Sequence, residues 1–504
     1  MLKRMCALFL VFGILFVFSS CGKKEYAEQK LHILVDLPVK LNVLGLFATY
    51  DDVKGEDSAH LKNYLKKYMG VTEDVEYEFL PEDKAEREVR IQALRTEIMA
   101  GGGPDIFLVV SDPPGGARGS SIWNVQFPAP YEREMLFANP ETAMESKLFL
   151  PLDDYLKDND AVDTSLIFPA VLEAGKTEEG QMILPITFTF PVATCLESFV
   201  PKQLPENWES GISNENPAVR NAYTAGAWHR FSDSFESMVK EGSLAFSKSE
   251  LLQRVKSALA STDMELIDTL SNTNVFVSPD TNTGELNPGI NFAHEFNNAP
   301  IPFPADSFGG FLSIRSLHYR DTVEWDRNHY DHRWAKNNGR QSLFALQNEK
   351  GGVTADITAY AAVNRNSKHT ESAFQALDMM LSTPTLTGWG MNESEKGDPY
   401  SYQLFTLCSC FGVPARGDLL GTGDLPFFQA RISKNAPGVF GENVEVFSEY
   451  TALRNEVTHA RFYGTLDQEL QTMYEACLEA ESDEEIEKIV SKAYDTMLMI
   501  LAES

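Results

Sequence analysis

The stretch Leu94-Arg-Thr-Glu-Ile-Met-Ala-Gly-Gly-Gly-Pro-Asp-Ile106 carries the reading of the fold. Ile91, Leu94 and Ile98 recur at helical spacing, three glycines offer the left-handed backbone that ends a helix, and Pro104 opens the next segment. Asp105 to Val110 then reads as a strand. Upstream, Val75, Tyr77 and Phe79 alternate as a half-buried strand. Before them, Leu41 to Tyr50 is strand-like ahead of a helix marked by Leu61, Tyr64, Leu65 and Tyr68 behind a cap at Ser58. Strand, helix, strand, helix, strand predicts right-handed crossovers and a parallel, doubly wound α/β sheet.

Downstream, Ile357 to Val363 is a further strand, followed by a polar turn, Asn364 to Lys368, and a helix with Phe374, Leu377, Met380 and Leu381 inward. This unit is expected to return to the first sheet. Ala227 to Val239 reads as helical within a region, 208–350, whose loops are rich in Asn, Pro and Gly. The last helix opens with Ser482 and Glu485 as a capping box and turns Ile486, Ile489, Val490, Ala493 and Met497 to one face.

The first residues read as an export signal. Lys3 and Arg4 precede an apolar run from Ala7 to Phe18 that is too short to span a bilayer comfortably. Ser19 and Ser20 then lead to Cys21, with Gly22, Lys23 and Lys24 behind it, which resembles a bacterial lipobox although Phe18 departs from its usual leucine. Residues 1–20 are therefore expected to be a lipoprotein signal peptide, Cys21 the lipidated mature N-terminus, and 21–30 a polar tether.

With 504 residues, 43% of them hydrophobic, the chain is long enough to bury more than one core. The formal charge of −30 becomes −32 once Lys3 and Arg4 leave with the signal, which disfavours nucleic acid as a partner. Of six cysteines, Cys6 leaves with the signal and Cys21 takes the lipid; Cys195, Cys408, Cys410 and Cys477 make no disulfide framework and receive no role.

Taken in order along the chain, five patches and the capped final helix resemble the family 1 extracellular solute-binding proteins. They are the 94–106 stretch, Leu150-Pro-Leu-Asp-Asp-Tyr-Leu156, Gly180-Gln-Met-Ile-Leu-Pro-Ile186, Tyr360-Ala-Ala-Val-Asn-Arg-Asn-Ser-Lys368 and Gly412-Val-Pro-Ala415. The resemblance implies a periplasmic-binding-protein-like type II fold: two discontinuous α/β lobes joined by crossing strands, with a ligand held between them and a hinge that closes on it. Lobe 1 is expected to comprise 31–190 and 356–405, and lobe 2 to comprise 191–355 and a helical part, 406–504. The implied protein is non-enzymatic and monomeric, without cofactor or metal. It would sit on the outer face of the cell membrane and deliver a small solute, a sugar or oligosaccharide, to ABC permease subunits.

The same resemblance places Asp112 at a sugar-binding aspartate of a maltose-binding member of the family, while that member's neighbouring tryptophan and arginine fall on Val109 and Pro113 here. Maltose contacts are therefore not retained. Asp112 also suits a turn before Pro113 and Pro114. Thr189 falls at a ligand-contacting glutamate of that member, beside Phe188 and Phe190, which read as core. Trp123, Trp228, Trp325, Trp334 and Trp389 are candidate sugar-stacking platforms, with Trp123 and Trp389 placed first because one follows the Asp112 loop and the other the returning helix.

An exported hydrolase is the competing class. The sequence holds no His-Glu-x-x-His, no Gly-x-Ser-x-Gly and no phosphate-binding glycine loop, and His294-Glu295 lacks a second histidine. A catalytic carboxylate pair among 73 acidic residues stays open. His318, Asp326, His329, Asp331 and His332 form a metal-like cluster whose bland reading is a solvated, charge-rich segment with Arg320, Arg327 and Arg333. A receptor that presents its ligand to a membrane sensor would use the same cleft. For the anchor, Cys21→Ala is expected to release the protein from the membrane fraction of cells that retain the wild type, and mass spectrometry of the mature N-terminus reads the acylation directly.

Overall fold

The computed structural model describes residues 30–36, 74–111 except 82, 134–157, 162–262 except 236 and 241, the short strands 277–279, 286–288 and 311–316, then 341–381, 412–417, 453 and 455–503. The chain opens with β1 (Lys30–Asp36), β2 (Asp74–Phe79), α1 (Lys84–Met99), β3 (Ile106–Val110) and the short α2 (Pro140–Glu145). β4 (Ile183–Thr189) and β5 (Pro191–Leu196) come after it, then α3 (Trp208–Ile212), α4 (Pro217–Ala225), α5 (Ala227–Asp233) and α6 (Lys248–Ala260). After β6 (Phe311–Ser316) and β7 (Gln341–Ala345) comes the long β8 (Val353–Val363), then α7 (Thr370–Met380), β9 (Val413–Pro414), β10 (Val457–Phe462), α8 (Thr465–Leu478) and α9 (Asp483–Glu503). Among the described residues no helix is long and apolar enough to cross a membrane.

The glycine stretch behaves as its sequence requires. Asp83 caps α1 by accepting from the Glu86 amide, and Ile91, Leu94 and Ile98 are its buried stripe. At the other end Gly101 adopts φ +79°, its amide donates to the Ile98 carbonyl, and the Gly102 amide reaches back to the Glu97 carbonyl. This is the paired bonding of a Schellman ending, and only glycine takes its left-handed position without strain. The chain then enters β3, every residue of which is buried.

β1, a strand outside the expected alternation, pairs in parallel with β2 and β3, which leaves β2 and β3 with the parallel sense expected of a strand–helix–strand unit. The sheet as a whole is mixed, not parallel: its order is β9-β4-β8-β3-β1-β2, and β8 runs antiparallel to both β3 and β4. The reason lies in how β8 arrives. It returns to the sheet from β7 alongside the outgoing β4, so the two must run in opposite directions. β10 lies parallel to the first half of β8, making seven strands in all. Because β9 and β10 join here, this sheet draws on residues beyond 405.

Two further departures have local causes. β1 carries no periodic signal because Leu31–Val35 is a continuous apolar run interrupted by His32 and buried on both faces, not an alternating one. The expected 41–50 strand and 61–68 helix lie outside the described residues. The helix expected over 227–239 stops at Asp233, where the Ser234 hydroxyl donates to the Phe231 carbonyl, and Val239 instead begins a small hairpin.

Three cores result. The largest surrounds the seven-stranded sheet. A second lies where α3 and α4 cover the three-stranded sheet β6-β5-β7, with Trp208 packed edge-on to Tyr223, whose hydroxyl accepts from the Gln347 amide at 2.8 Å. The third joins α5, α6, α8 and α9 through Phe231, Leu251, Leu470, Tyr474 and Met497, with Val490 and Ala493 on the expected face of the last helix. Ser482 caps that helix by accepting from the Glu485 amide, while the Glu485 carboxylate accepts from Glu481, one residue earlier than a full capping box requires.

Two strands pass between the sheets side by side. β4 continues through Phe190 into β5, and β7 returns through 346–352 into β8; the Leu346 amide donates to the Pro191 carbonyl at 3.2 Å, so the ribbon stays paired as it crosses. The extra residues of the return are taken up in a turn closed by Gly352, whose φ is +92° and whose missing side chain leaves room for Thr458. Gly352→Ala is expected to cost about 1–3 kcal/mol in urea unfolding, since it adds strain and overlap at a turn that admits neither.

Candidate functional site

The strands β1, β3 and β4 all end at the same edge of the seven-stranded sheet, because each points opposite to β8 or parallel to a neighbour that does. Carboxyl ends of strands in open α/β sheets are where ligands are held. At the end of β1, the Asp36 carboxylate is wholly buried, ion-paired with Arg87 of α1, and accepts from the Leu136 amide at 3.0 Å. Arg87 also donates to the carbonyls of Glu134 and Pro81. At the end of β3, the Ser111 amide donates to Thr358 at 2.7 Å and its hydroxyl to Ile357 at 3.2 Å.

The described chain therefore stops at Ser111 and is clamped again at Glu134–Leu136, both at the edge where these strands end. Asp112 and Trp123 fall between those fixed points but outside the described residues, as do Cys21, Trp325, Trp334, Trp389, Cys408, Cys410, His294-Glu295 and the His318 to His332 cluster.

Thr189 is described. It ends β4, is 1% exposed, and stands opposite Asp356 of β8. Asp356 in turn stands opposite Arg461 of β10, whose Nε donates to its carboxylate at 2.8 Å. Thr189 and the end of β3 thus flank β8 on opposite sides at residues 356–358. Phe188 and Phe190 are fully buried and lie 6.2 Å apart, with Phe168 edge-on to Phe188, which makes them core. Trp228 packs between Phe231 and Tyr474 in the helical core. Cys195 and Cys477 are buried free thiols, and burial pushes the Cys477 thiol up to about 11.

Sequence reasoning missed Asp36, Ser111 and Arg461. Asp36 had a legible signal, a carboxylate closing an apolar run, whereas nothing in Val457 to Phe462 distinguishes Arg461 from a surface arginine. Among the described residues no group of three or more His, Cys, Asp or Glu side chains is arranged to hold a metal ion.

The sequence patches meet around this sheet, and their polar residues bind one another. Asp105 accepts from the His32 amide at 2.8 Å and from the Ser367 hydroxyl at 2.6 Å, and Asn364 donates to the carbonyls of Gly102 and Pro104. Asp153 accepts from the Gln181 amide at 2.8 Å, and the Ala415 amide donates to Ile186. The Pro-Asp-Ile aspartate thus fastens β1 to the turn after β8.

No family model and no curated protein matches the chain. Solved structures similar to it include the sugar-binding protein MalE from Xanthomonas citri, with a TM-score of 0.48 and 11% identity over 94% of this chain and 97% of that one. Another is an extracellular solute-binding protein family 1 from Alicyclobacillus acidocaldarius, with a TM-score of 0.45 and 13% identity over 93% of this chain and 98% of that one. A third is an ABC transporter solute-binding protein from Thermotoga lettingae bound with α-D-tagatose, with a TM-score of 0.42 and 14% identity over 94% and 100%. These are loose superpositions.

At the edge where β1 ends, the Asp36–Arg87 pair is directly testable. Asp36→Ala leaves a buried guanidinium without its carboxylate and is expected to cost about 3–5 kcal/mol in chemical unfolding, with Asp36→Ala/Arg87→Met recovering part of the loss.

Proposed function

We propose that the chain is an exported, lipid-anchored solute-binding protein that holds a small hydroxyl-rich solute, a carbohydrate, between two α/β lobes and delivers it to ABC permease subunits. The observation that carries this reading is the paired ribbon of β4–β5 and β7–β8, which passes from a seven-stranded sheet to a three-stranded one beside the edge where β1, β3 and β4 end. A ribbon that runs between two separately cored bodies is a natural hinge, and an edge of strand termini beside it is where a ligand would bridge them.

The sequence patches support the same reading, since residues far apart in the chain, such as Gly102 and Asn364 or Asp153 and Gln181, are hydrogen-bonded as parts of one construction. In this reading Asp112, reached directly from Ser111, accepts sugar hydroxyls. Trp123 and Trp389 offer stacking faces, and Thr189 lies at the foot of the cleft. The solute is bound and released unchanged, with no cofactor or metal, by a monomer on the outer face of the membrane. Cys21 carries the anchor.

A thermal-shift screen of residues 22–504 against mono- and oligosaccharides, amino acids, peptides and metal ions identifies the solute class. A true ligand at a hundred times its Kd adds about 2.7 kcal/mol of stability. With that sugar, Asp112→Ala is expected to weaken binding at least about tenfold by calorimetry while leaving the unfolding midpoint of the free protein in place, because charged hydrogen bonds contribute about 1.5–3 kcal/mol each. Unchanged affinity rejects Asp112 as a contact, and product formed on long incubation with the wild type rejects the binding-only role.

A further inference from the structure

Arg461 stands where the sheet passes into the helical body, near the end of β10 and four residues before the start of α8. Its guanidinium joins the two. Nε donates to Asp356 of β8 at 2.8 Å, while Nη1 and Nη2 donate to the Ser232 carbonyl and hydroxyl of α5 at 2.8 and 2.9 Å, with Asp233 of α5 at 3.8 Å from Nη1.

Further acids face the same arginine. Asp467, in the first turn of α8, accepts from the Gly464 amide at 2.9 Å. Glu141 of α2 takes backbone hydrogen bonds at Glu141 and Phe462, yet its Oε2 is buried with no hydrogen-bond partner among the described residues. From the turn before β8, Glu349 adds a negative charge at the rim and pairs with Arg230 at 3.0 Å. His229 of α5 completes the surroundings.

Four carboxyl groups, Asp233, Asp356, Asp467 and Glu141, thus share one guanidinium that is 21% exposed, in surroundings largely withdrawn from water where like charges repel strongly. The junction is hard to keep fully ionised. Burial pushes the Asp233 carboxyl up to about 7 against the pull of Arg461, and it pushes Glu141 to about 7 and Asp467 to about 6. The same burial drives His229 down to about 4, so its ring stays neutral near pH 7.

We propose that this junction is a proton-controlled latch: while Asp233 and Glu141 hold protons, Arg461 ties the sheet to the helical body, and their release sets bare carboxylates against one another across the joint and loosens it. A carboxyl raised in the folded state contributes stability that is full below its ordinary value, near 4, and is lost as pH rises through 6 to 7. His229, lowered from 6.5, works the other way, losing its contribution as pH falls toward 4. Three carboxyls outweigh one imidazole, so the latch tightens between pH 7.5 and 5.5. The proposal stands apart from the transport reading and needs no solute.

Hydrogen–deuterium exchange on the full chain, with intrinsic exchange rates corrected for pH, tests it. From pH 5.5 to 7.5, peptides covering 227–233, 353–357 and 457–467 are expected to lose at least about tenfold in protection relative to those of β1 and α1. In Asp233→Asn/Glu141→Gln, which cannot release those protons, that loss should shrink to about twofold. Parallel changes at the junction and in α1, or a double variant with the full wild-type pH dependence, overturn the proposal. If the double variant does not fold, Asp233→Asn and Glu141→Gln taken singly must each reduce the loss, and failure of both to do so overturns it equally.

Discussion

The structure depends on the backbone hydrogen bonds of β8. Its eleven residues are buried throughout except Thr354, so every amide and carbonyl along it needs a partner inside the protein. One edge is satisfied by β4 and the other is shared, with β3 serving the second half and β10 the first. Each of these partners also leads somewhere: β4 into the three-stranded sheet, β3 toward the Asp112 loop, β10 into the helical body. Fixing β8 therefore fixes the ribbon, the edge where β3 and β4 end and the Arg461 junction at once.

Polar side chains do in this molecule what its irregular connections require. Asp105, Asn364 and Ser367 close the gap between the α1–β3 turn and the end of β8, and Asp36 with Arg87 holds the returning chain at 134–136. On the outer strand, burial alone would raise the Glu78 carboxyl, but hydrogen bonds from His32 and Arg90 outweigh it and hold it down to about 2. Glu78 and Arg90 keep their charges at any ordinary pH. The acids around Arg461 are more deeply buried and share a single cation, and the contrast between the two clusters comes from both differences.

Much of the sheet was legible because its signals are local. The α1 stripe, the glycine ending, β3, β8 with α7 behind it, and the buried face of α9 are all set by spacing within about a dozen residues. The illegible part depends on distant chain. Strand direction in the mixed sheet is set by the path of the ribbon, which no periodicity records, and β1 hid because burial on both faces erases alternation. Of the candidate site, Thr189 is placed at the end of β4, and Asp112, Trp123 and Trp389 lie outside the described residues. Asp36 and Arg461 owe their roles to partners 51 and 105 residues away, a relation that a single sequence does not display.

The shared edge of β8 also bears on how the chain reaches its native state. β3 and β10 abut along one strand although about 350 residues of chain separate them, and both must arrive before that edge is covered. Until residue 462 is available, half of a long apolar strand presents unpaired amides and carbonyls, the kind of surface that recruits strands from other molecules. A polypeptide emerging N-terminus first therefore cannot finish its largest core until nearly all of it has been made. It must pass that interval unfolded or shielded.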